Sequence, residues 1–592
     1  MLQSCIGQGP VYLRAFFRVV AVPATGRPPT FAQLPETPSN QQKLRPLHFH
    51  GTRHLIPVRR GLGTHMDGTH LFELVIAMFL AIIVLHYIAH RMGLPPSVAL
   101  LVGGGTLAFV PGLPTISVNP ELVLVIFLPP LLLDGAWSIA VDRLKRHVFG
   151  IASLAIGAVL FTTIVVAVVV HFLMPSLPWA ACAALGAIVS PPDAVSARAV
   201  LERVKIPRRL HILLEGESLL NDASGLVLFR FAVAAAAGGT FSTTDALGEF
   251  IFLAAGGAAI GAVVGFAWVK LVRHLGDEYL MIAATAILSW AAYLLAERMH
   301  TSGVIATVTA GLIASWHQHT VLSAATRMRG TSFWNVLVFL MEAMVFILIG
   351  LSLRDVVERG GGFGSLVGSM ALPAVTVLVT LVIARFVWIF VSDFVIGLFH
   401  GLKLARSTPL GAGGVTALGW AGMRGVVTLA LALSLPEDFP GRDFILVMAF
   451  AVIVGTVLIQ GTTLGWIIAW AGLGNIEPER APMTMSEAEA SMAQVQFATV
   501  QALAHDENGE LIHPQLLKRY EHRLTASVKY AESTEKYSPL LHAHFDVVLQ
   551  AVAAGRRELI RLRREGKIDD ETLRELEHDL DLEELSAISA KA

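Results

Sequence analysis

Charge is what this chain has least of. Only 15% of its 592 residues are Asp, Glu, Lys or Arg, against about a quarter in an average soluble domain. Acids and bases nearly cancel, at a net charge of −1, which removes the electrostatic basis for a nucleic-acid partner or an acidic surface. Cysteine is almost missing. Cys5 and Cys182 are the two present; they lie far apart and Cys182 falls in an apolar stretch, so neither a disulfide framework nor a zinc site is expected. No His-Glu-x-x-His motif occurs, which argues against a zinc hydrolase. Gly216-Glu217-Ser218 approaches the Gly-x-Ser-x-Gly nucleophile pattern, but Leu220 replaces the second glycine and no strand precedes it, which disfavours an intramembrane hydrolase. Residues 1–65 lack any long apolar run, and Phe16 to Pro23 is too short for a signal peptide. That segment is expected to be a disordered or mis-assigned extension, with Met66 as the natural start.

What remains is apolar. Hydrophobic residues make up 54% of the chain and its mean hydropathy is +0.64, the composition of an all-α polytopic membrane protein. Apolar runs separated by Gly, Pro and charge predict 13 spans, near 71–90, 96–110, 119–137, 147–173, 179–200, 211–237, 247–272, 278–297, 302–316, 333–353, 369–398, 410–435 and 443–473. The second and ninth are short enough to be re-entrant. Fifteen Lys and Arg fall in one alternate set of connections and four in the other. The positive-inside rule therefore predicts a cytoplasmic C-terminus and, for an odd count of spans, an external N-terminus; the expected location is the plasma membrane.

Spans 5 and 12 are interrupted. The fifth holds Ser190-Pro191-Pro192-Asp193, and the twelfth holds Gly411, Gly413, Gly414, Gly422 and Gly425 around Arg424. An offset of seven spans fits two six-helix units, spans 1–6 and 8–13, inverted relative to one another with span 7 as a linker. Broken helices in matching places point to a transport site, because freed backbone groups and half-helix ends can face an ion.

Charge inside the spans is concentrated on the sixth, which carries Glu215, Glu217, Asn221 and Asp222. A charge near the middle of a bilayer costs roughly 2.5–3.5 kcal/mol on insertion scales, so the default reading is a cation or proton site. Glu217 and Asn221 are four apart and share a helical face. Asp222 points to a neighbouring face, where Asp193 can approach it. A desolvated carboxylate holds either a proton or a metal cation near neutral pH, which makes Asp222 the expected shared carboxylate. Asp222, the Ser190 hydroxyl, backbone carbonyls of the broken span and water form a hard-cation oxygen set. Arg424 needs a counter-charge, and Glu217 is its expected partner. Asp134, Arg230 and Arg385 read as structural pairs or residues reaching a helix end. Glu342 and Glu215 are pathway candidates, the second as part of an entrance funnel.

These residues carry a resemblance. Phe127-Leu128-Pro129-Pro130-Leu131-Leu132, Ser190-Pro191-Pro192-Asp193-Ala194-Val195, Glu215-Gly216-Glu217-Ser218-Leu219-Leu220-Asn221-Asp222 and Gly422-Met423-Arg424-Gly425 resemble the signatures of monovalent cation/proton antiporters, in the sodium/proton exchanger branch marked by an Asn-Asp pair. The resemblance covers roughly residues 70–473. It implies a 13-helix inverted-repeat fold, a homodimer and an elevator-like movement of a core against a dimerising scaffold. It also implies Na+ or K+ and H+ as transported ions with no cofactor. Asp222 would bind ion and proton, Asp193 and Asn221 would support the site, and Glu217 would pair with Arg424. Members with Asn before the Asp are generally electroneutral. Many relatives read Thr-Asp-Pro where this chain has Pro192-Asp193-Ala194, so the threonine oxygen is missing and the helix break is shifted.

Residues 477–592 are charge-rich, with Leu559-Ile560-Leu562 and Leu573-Leu576-Leu580 at helical spacing. They predict a cytoplasmic helical domain, its last helix capped at Asp569-Asp570. His300, His317 and His319 fall at span ends, where interfacial placement is expected. A cation channel and a K+/H+ exchanger are the rival transport functions.

Overall fold

The computed structural model describes residues 68–110, 120–139, 141–193, 206–237, 243–359, 361–402, 409–473, 483–505 and 510–591; the expected 1–65 extension lies outside them. Contacts divide the chain into two units, one ending at Glu477 and one beginning at Pro478.

In the first unit, helix is found at every expected span. The helices are α1 (Gly68–Met92), α2 (Pro96–Ala108), α3 (Pro120–Ser138), α4 (Val141–Ala152) running through a π-helical turn (Ser153–Ala158) into α5 (Val159–Leu173), α6 (Trp179–Val189), α7 (Arg208–Ala236), α8 (Thr243–Val272), α9 (Glu278–Arg298), α10 (Gly303–Val321), α11 (Ala324–Leu351), α12 (Leu353–Arg359), α13 (Phe363–Gly401), α14 (Gly411–Trp420), α15 (Val426–Leu433) and α16 (Arg442–Gly455), which passes through a second π-helical turn (Thr456–Gln460) into α17 (Gly461–Trp470). Eight helices among the described residues are by themselves long and apolar enough to cross a membrane. The fifth span is described only as far as Asp193, and residues 194–200 lie outside the described residues.

Helix ends follow local chemistry. Asp277 Oδ1 accepts the Leu280 N–H at 2.9 Å to start α9, and Ser323 Oγ accepts the Thr326 N–H at 3.1 Å to start α11, each satisfying an otherwise orphaned donor. The ninth span is longer than its apolar run, 302–316. His317 and Gln318 do not end α10, because the His317 ring bonds the Ile313 carbonyl at 2.8 Å and Gln318 Oε1 accepts the Trp137 indole N–H at 2.9 Å. A polar residue with a partner on a neighbouring helix costs little inside a bundle.

Apart from α12, which touches members of both, the helices sort into two closely packed groups. One comprises α1, α2, α3, α8, α9, α10 and α11; the other comprises α4 to α7 and α13 to α17. Between the groups the nearest backbone packing is α3 against α15, with α7 touching α3 and α10. Within the first group, α8 and α10 meet backbone to backbone. A Cβ on Gly257 would stand 2.6 Å from the Ser302 carbonyl oxygen, and one on Gly261 would overlap the Ala306 backbone. Gly261→Leu is therefore expected to destabilise the unit by about 1–3 kcal/mol through overpacking. The thermal midpoint of purified protein reports this, with Gly248→Leu, which meets nothing within 4 Å, as the unaffected control.

The second unit holds α18 (Met485–Leu503), α19 (Pro514–Glu532), α20 (Thr534–Arg564) and α21 (Asp570–Lys591), packed mainly as the pairs α18–α19 and α20–α21. Thr484 and Glu487 form a reciprocal capping box on α18, and the Thr484 backbone N–H holds the Glu487 carboxyl below its usual range. Asp569 Oδ1 caps α21 through the Thr572 N–H at 2.8 Å. Arg556 ties α20 to Asp581 and Glu584 on α21.

Candidate functional site

The two broken segments meet. After Val189, Pro191 and Pro192 bring no N–H groups to continue α6. The chain leaves the helix, and the Asp193 N–H bonds the Met423 carbonyl at 2.7 Å. Met423 lies in the non-helical stretch between α14 and α15. Two half-helix ends are thereby brought to one place, and their polarities are answered by side chains of opposite sign. Arg424, 1% exposed, donates through Nε to the Val189 carbonyl at 2.8 Å and through Nη2 to the Ser190 carbonyl at 3.0 Å. Its third arm reaches the Gly422 carbonyl. The Val189 and Ser190 carbonyls belong to the C-terminal, partially negative end of α6, where a cation is stabilised. Conversely, the Asp193 carboxylate lies on Gly425, the residue before α15, so closely that any Cβ there would overlap it. A carboxylate at a helix N-terminus meets free N–H groups and the positive end of the dipole.

The expected Glu217–Arg424 pair is corrected by this geometry. Glu217 is bound in bidentate fashion by Arg385 of α13, with Nη1–Oε1 at 2.6 Å and Nη2–Oε2 at 2.9 Å. Both residues are buried. Arg385 also donates to the Leu418 carbonyl in α14, at 3.2 Å from Nη2 and 3.3 Å from Nε, so it ties α7, α13 and α14 together. A fork-to-fork guanidinium–carboxylate pair satisfies charge and geometry at once. Arg424 has its hydrogen-bond needs met by carbonyls, which side-chain pairing logic does not consider. Glu217 nevertheless remains within electrostatic reach of Arg424.

Asn221 is fully buried. Its Nδ2 donates to the Pro192 carbonyl at 2.6 Å, while its Oδ1 has no partner. It thus fastens α7 to the unwound segment and leaves one amide oxygen available. Asp222 is 8% exposed and interacts electrostatically with Asp193. Ser190 is less free than a ligand should be: its hydroxyl donates to the Gly186 carbonyl at 2.6 Å and accepts from Thr163 Oγ1 at 3.0 Å, leaving one lone pair. Glu215 is half-buried and pairs with His211, one turn back along α7, at 3.3 Å. Glu342 is half-buried on α11, a helix of the other group that packs against α15. Ser218 lies inside uninterrupted α7, not on a strand-to-helix turn.

Two residues escaped the sequence reading. Thr163 of α5 places a second hydroxyl beside Ser190 at the break. Thr456, in the π-helical turn, accepts the Arg424 N–H at 3.1 Å. Thr163 follows Thr162 in one apolar run and Thr456 stands in another, and that polarity was the available signal. Among the described residues no group of three His, Cys, Asp or Glu could hold a metal ion.

Comparison with known proteins adds a second line. The profile of the family described as sodium/hydrogen exchanger, transmembrane, matches residues 75–470. The uncharacterized Na(+)/H(+) exchanger Rv2287 of Mycobacterium tuberculosis is 30% identical over 549 residues, covering 90% of this chain and 98% of that one. A sodium, potassium, lithium and rubidium/H(+) antiporter of Bacillus subtilis is 33% identical over 409 residues, 66% of this chain and 60% of that one. Among solved structures, the sodium proton antiporter MjNhaP1 of Methanocaldococcus jannaschii matches with a TM-score of 0.53, covering 68% of this chain and 100% of that chain at 21% identity, a likeness of fold.

Proposed function

Because this chain belongs to the sodium/hydrogen exchanger family of monovalent cation/proton antiporters, we propose that it exchanges Na+, with K+ or Li+ as alternatives, for H+ through Asp222. One observation carries this reading. The crossing gathers three carboxylates (Asp193, Glu217 and Asp222) and two guanidiniums (Arg385 and Arg424), which leaves one net negative charge when all are ionised. Arg385 claims Glu217, and the dipole end of α15 answers Asp193. Asp222 is the acid without a fixed counter-charge, in a site where an uncompensated charge is costly. One proton or one monovalent cation brings the cluster to neutrality. The two therefore compete, and each crosses with the same charge. That is the physical basis of one-for-one, electroneutral exchange.

The Asn221 amide oxygen, the Asp222 carboxylate and carbonyls of the unwound segments supply oxygen ligands of the kind a hard cation prefers. Asp193 and Asn221 act mainly by holding the two segments in register. Alternating access follows if the α4–α7 and α13–α17 group moves against the other, which would also carry the contacts of a homodimer. The basic-residue asymmetry supports a cytoplasmic tail, in a protein of the cell membrane.

The test is exchange by purified protein in proteoliposomes. A Na+ pulse should drive a dye-reported pH change that is independent of imposed membrane potential, and K+ and Li+ pulses rank the alternatives. Cation conductance without proton movement would sink the antiporter reading. Competition makes a quantitative prediction. The apparent KM for the cation should rise as pH falls on the same side, by up to about tenfold per pH unit when one proton excludes one cation, at an unchanged maximal rate.

A further inference from the structure

The site described above lies within one helix group, so exchange also depends on what holds that group against the other. The Arg230–Glu297 ion pair joins them. Arg230 is on α7, eight residues beyond Asp222, or about 12 Å along the helix. Glu297 is on α9. The Arg230 Nη2–Glu297 Oε2 distance is 3.4 Å, and the two side chains are 40% and 32% exposed. By contrast, the pairs His211–Glu215, Glu278–Arg329, Arg354–Glu358, Asp355–Arg359 and Glu217–Arg385 each stay within a helix or within one group.

Glu297 is seated for this contact. Its Oε1 accepts the Gly303 N–H at 3.2 Å, which fixes the carboxylate at the start of α10 and leaves Oε2 for Arg230. The seat needs glycine: a Cβ on Gly303 would lie 2.8 Å from Tyr293 Cδ2 and 3.1 Å from Glu297 Oε1. Tyr293, buried at 5%, walls the carboxylate on that side. Glu297 is thus rigid in one group, while Arg230 rides on the helix that carries Asp222. The basic-residue asymmetry assigns this end of α7 to the outside.

We propose that Arg230 and Glu297 form an outer latch, a positioning pair whose closure holds the Asp222 helix group shut toward the outside and whose opening is a step of exchange. The inference rests on the antiporter reading above. A half-exposed pair is strong enough to bias a two-state equilibrium by about fivefold and too weak to lock it, which suits a contact made and broken in every cycle.

Charge reversal tests it. Arg230→Glu and Glu297→Arg should each populate the outward-facing state. That lowers the apparent KM for cation applied outside relative to inside by about fivefold, because apparent affinity scales with the competent fraction. The double swap should return the ratio to the wild-type value. A purely structural role would lower rates and thermal midpoints alike on both sides without moving the ratio, and that result overturns the latch. A second readout does not require transport. A Leu226→Cys substitution, placed on α7 between Asp222 and Arg230, should be labelled by an impermeant maleimide from outside several-fold faster in the single variants than in the swap. Equal labelling in all three would also overturn it. Failure of the unmodified protein to exchange would refute the antiporter reading, and the labelling would still decide the latch.

Discussion

Asp222→Asn is expected to reduce exchange by about a hundredfold or more, equivalent to ~2.7 kcal/mol in the rate-limiting barrier, while the protein still folds. Asparagine matches the size and polarity of the carboxyl group, so packing around a side chain only 8% exposed is preserved. What it removes is charge and the ability to carry a proton. With Asp222 neutral, the remaining two carboxylates and two guanidiniums already cancel. A cation entering that site would then create a buried, uncompensated charge, which costs several kcal/mol. Asp222→Glu keeps the chemistry and displaces it by one methylene, so a partial loss is expected. Normal exchange by the Asn variant, measured in proteoliposomes at matched protein content, would show that another group carries the ions.

The second large effect concerns stability. Glu217→Gln leaves the Arg385 guanidinium buried without its bidentate partner, and Arg385→Gln leaves the Glu217 carboxylate in the same position. Removing one partner of a buried ion pair typically costs about 3–5 kcal/mol, because the survivor keeps its desolvation penalty. Either single variant should sharply lower the thermal midpoint and the yield of folded protein. The double variant, Glu217→Gln with Arg385→Gln, should recover much of the loss. Arg424 provides the contrast, since its bonds run to the Val189, Ser190 and Gly422 carbonyls. If Glu217 served Arg424 as its main partner, Arg385→Gln would be mild and recovery would require a change at Arg424.

That distinction marks where the sequence was legible. Asp222, Asp193, Asn221 and Arg424 stood out because polar groups in apolar helices are costly, and the prolines and glycines around them announced the breaks. Helix positions followed from the apolar runs but their ends did not: α10 continues to Val321, α11 begins at Ala324, nine residues ahead of its run, and the short α12 had no run of its own. The partner of Glu217 was not legible. Arg385 lies 168 residues away on another helix, and in one dimension two arginines compete for one carboxylate with nothing to separate them. Arg424 misled because side-chain pairing ignores the strongest local anion substitute, a half-helix C-terminus. The substitution of Pro192 for a threonine suggested a lost oxygen. In three dimensions Thr163 reaches Ser190 from α5 and places a hydroxyl pair at the same break.

The claim that one buried carboxylate serves both ions is tested most directly by counting protons. Na+ or K+ would be titrated into purified protein in weakly buffered medium, and proton release per cation bound measured across pH. The account predicts a ratio approaching one at low pH, declining toward zero as the site loses its proton, and no release from Asp222→Asn. Saturable cation binding without proton release at any pH, or equal release from the Asn variant, would contradict it.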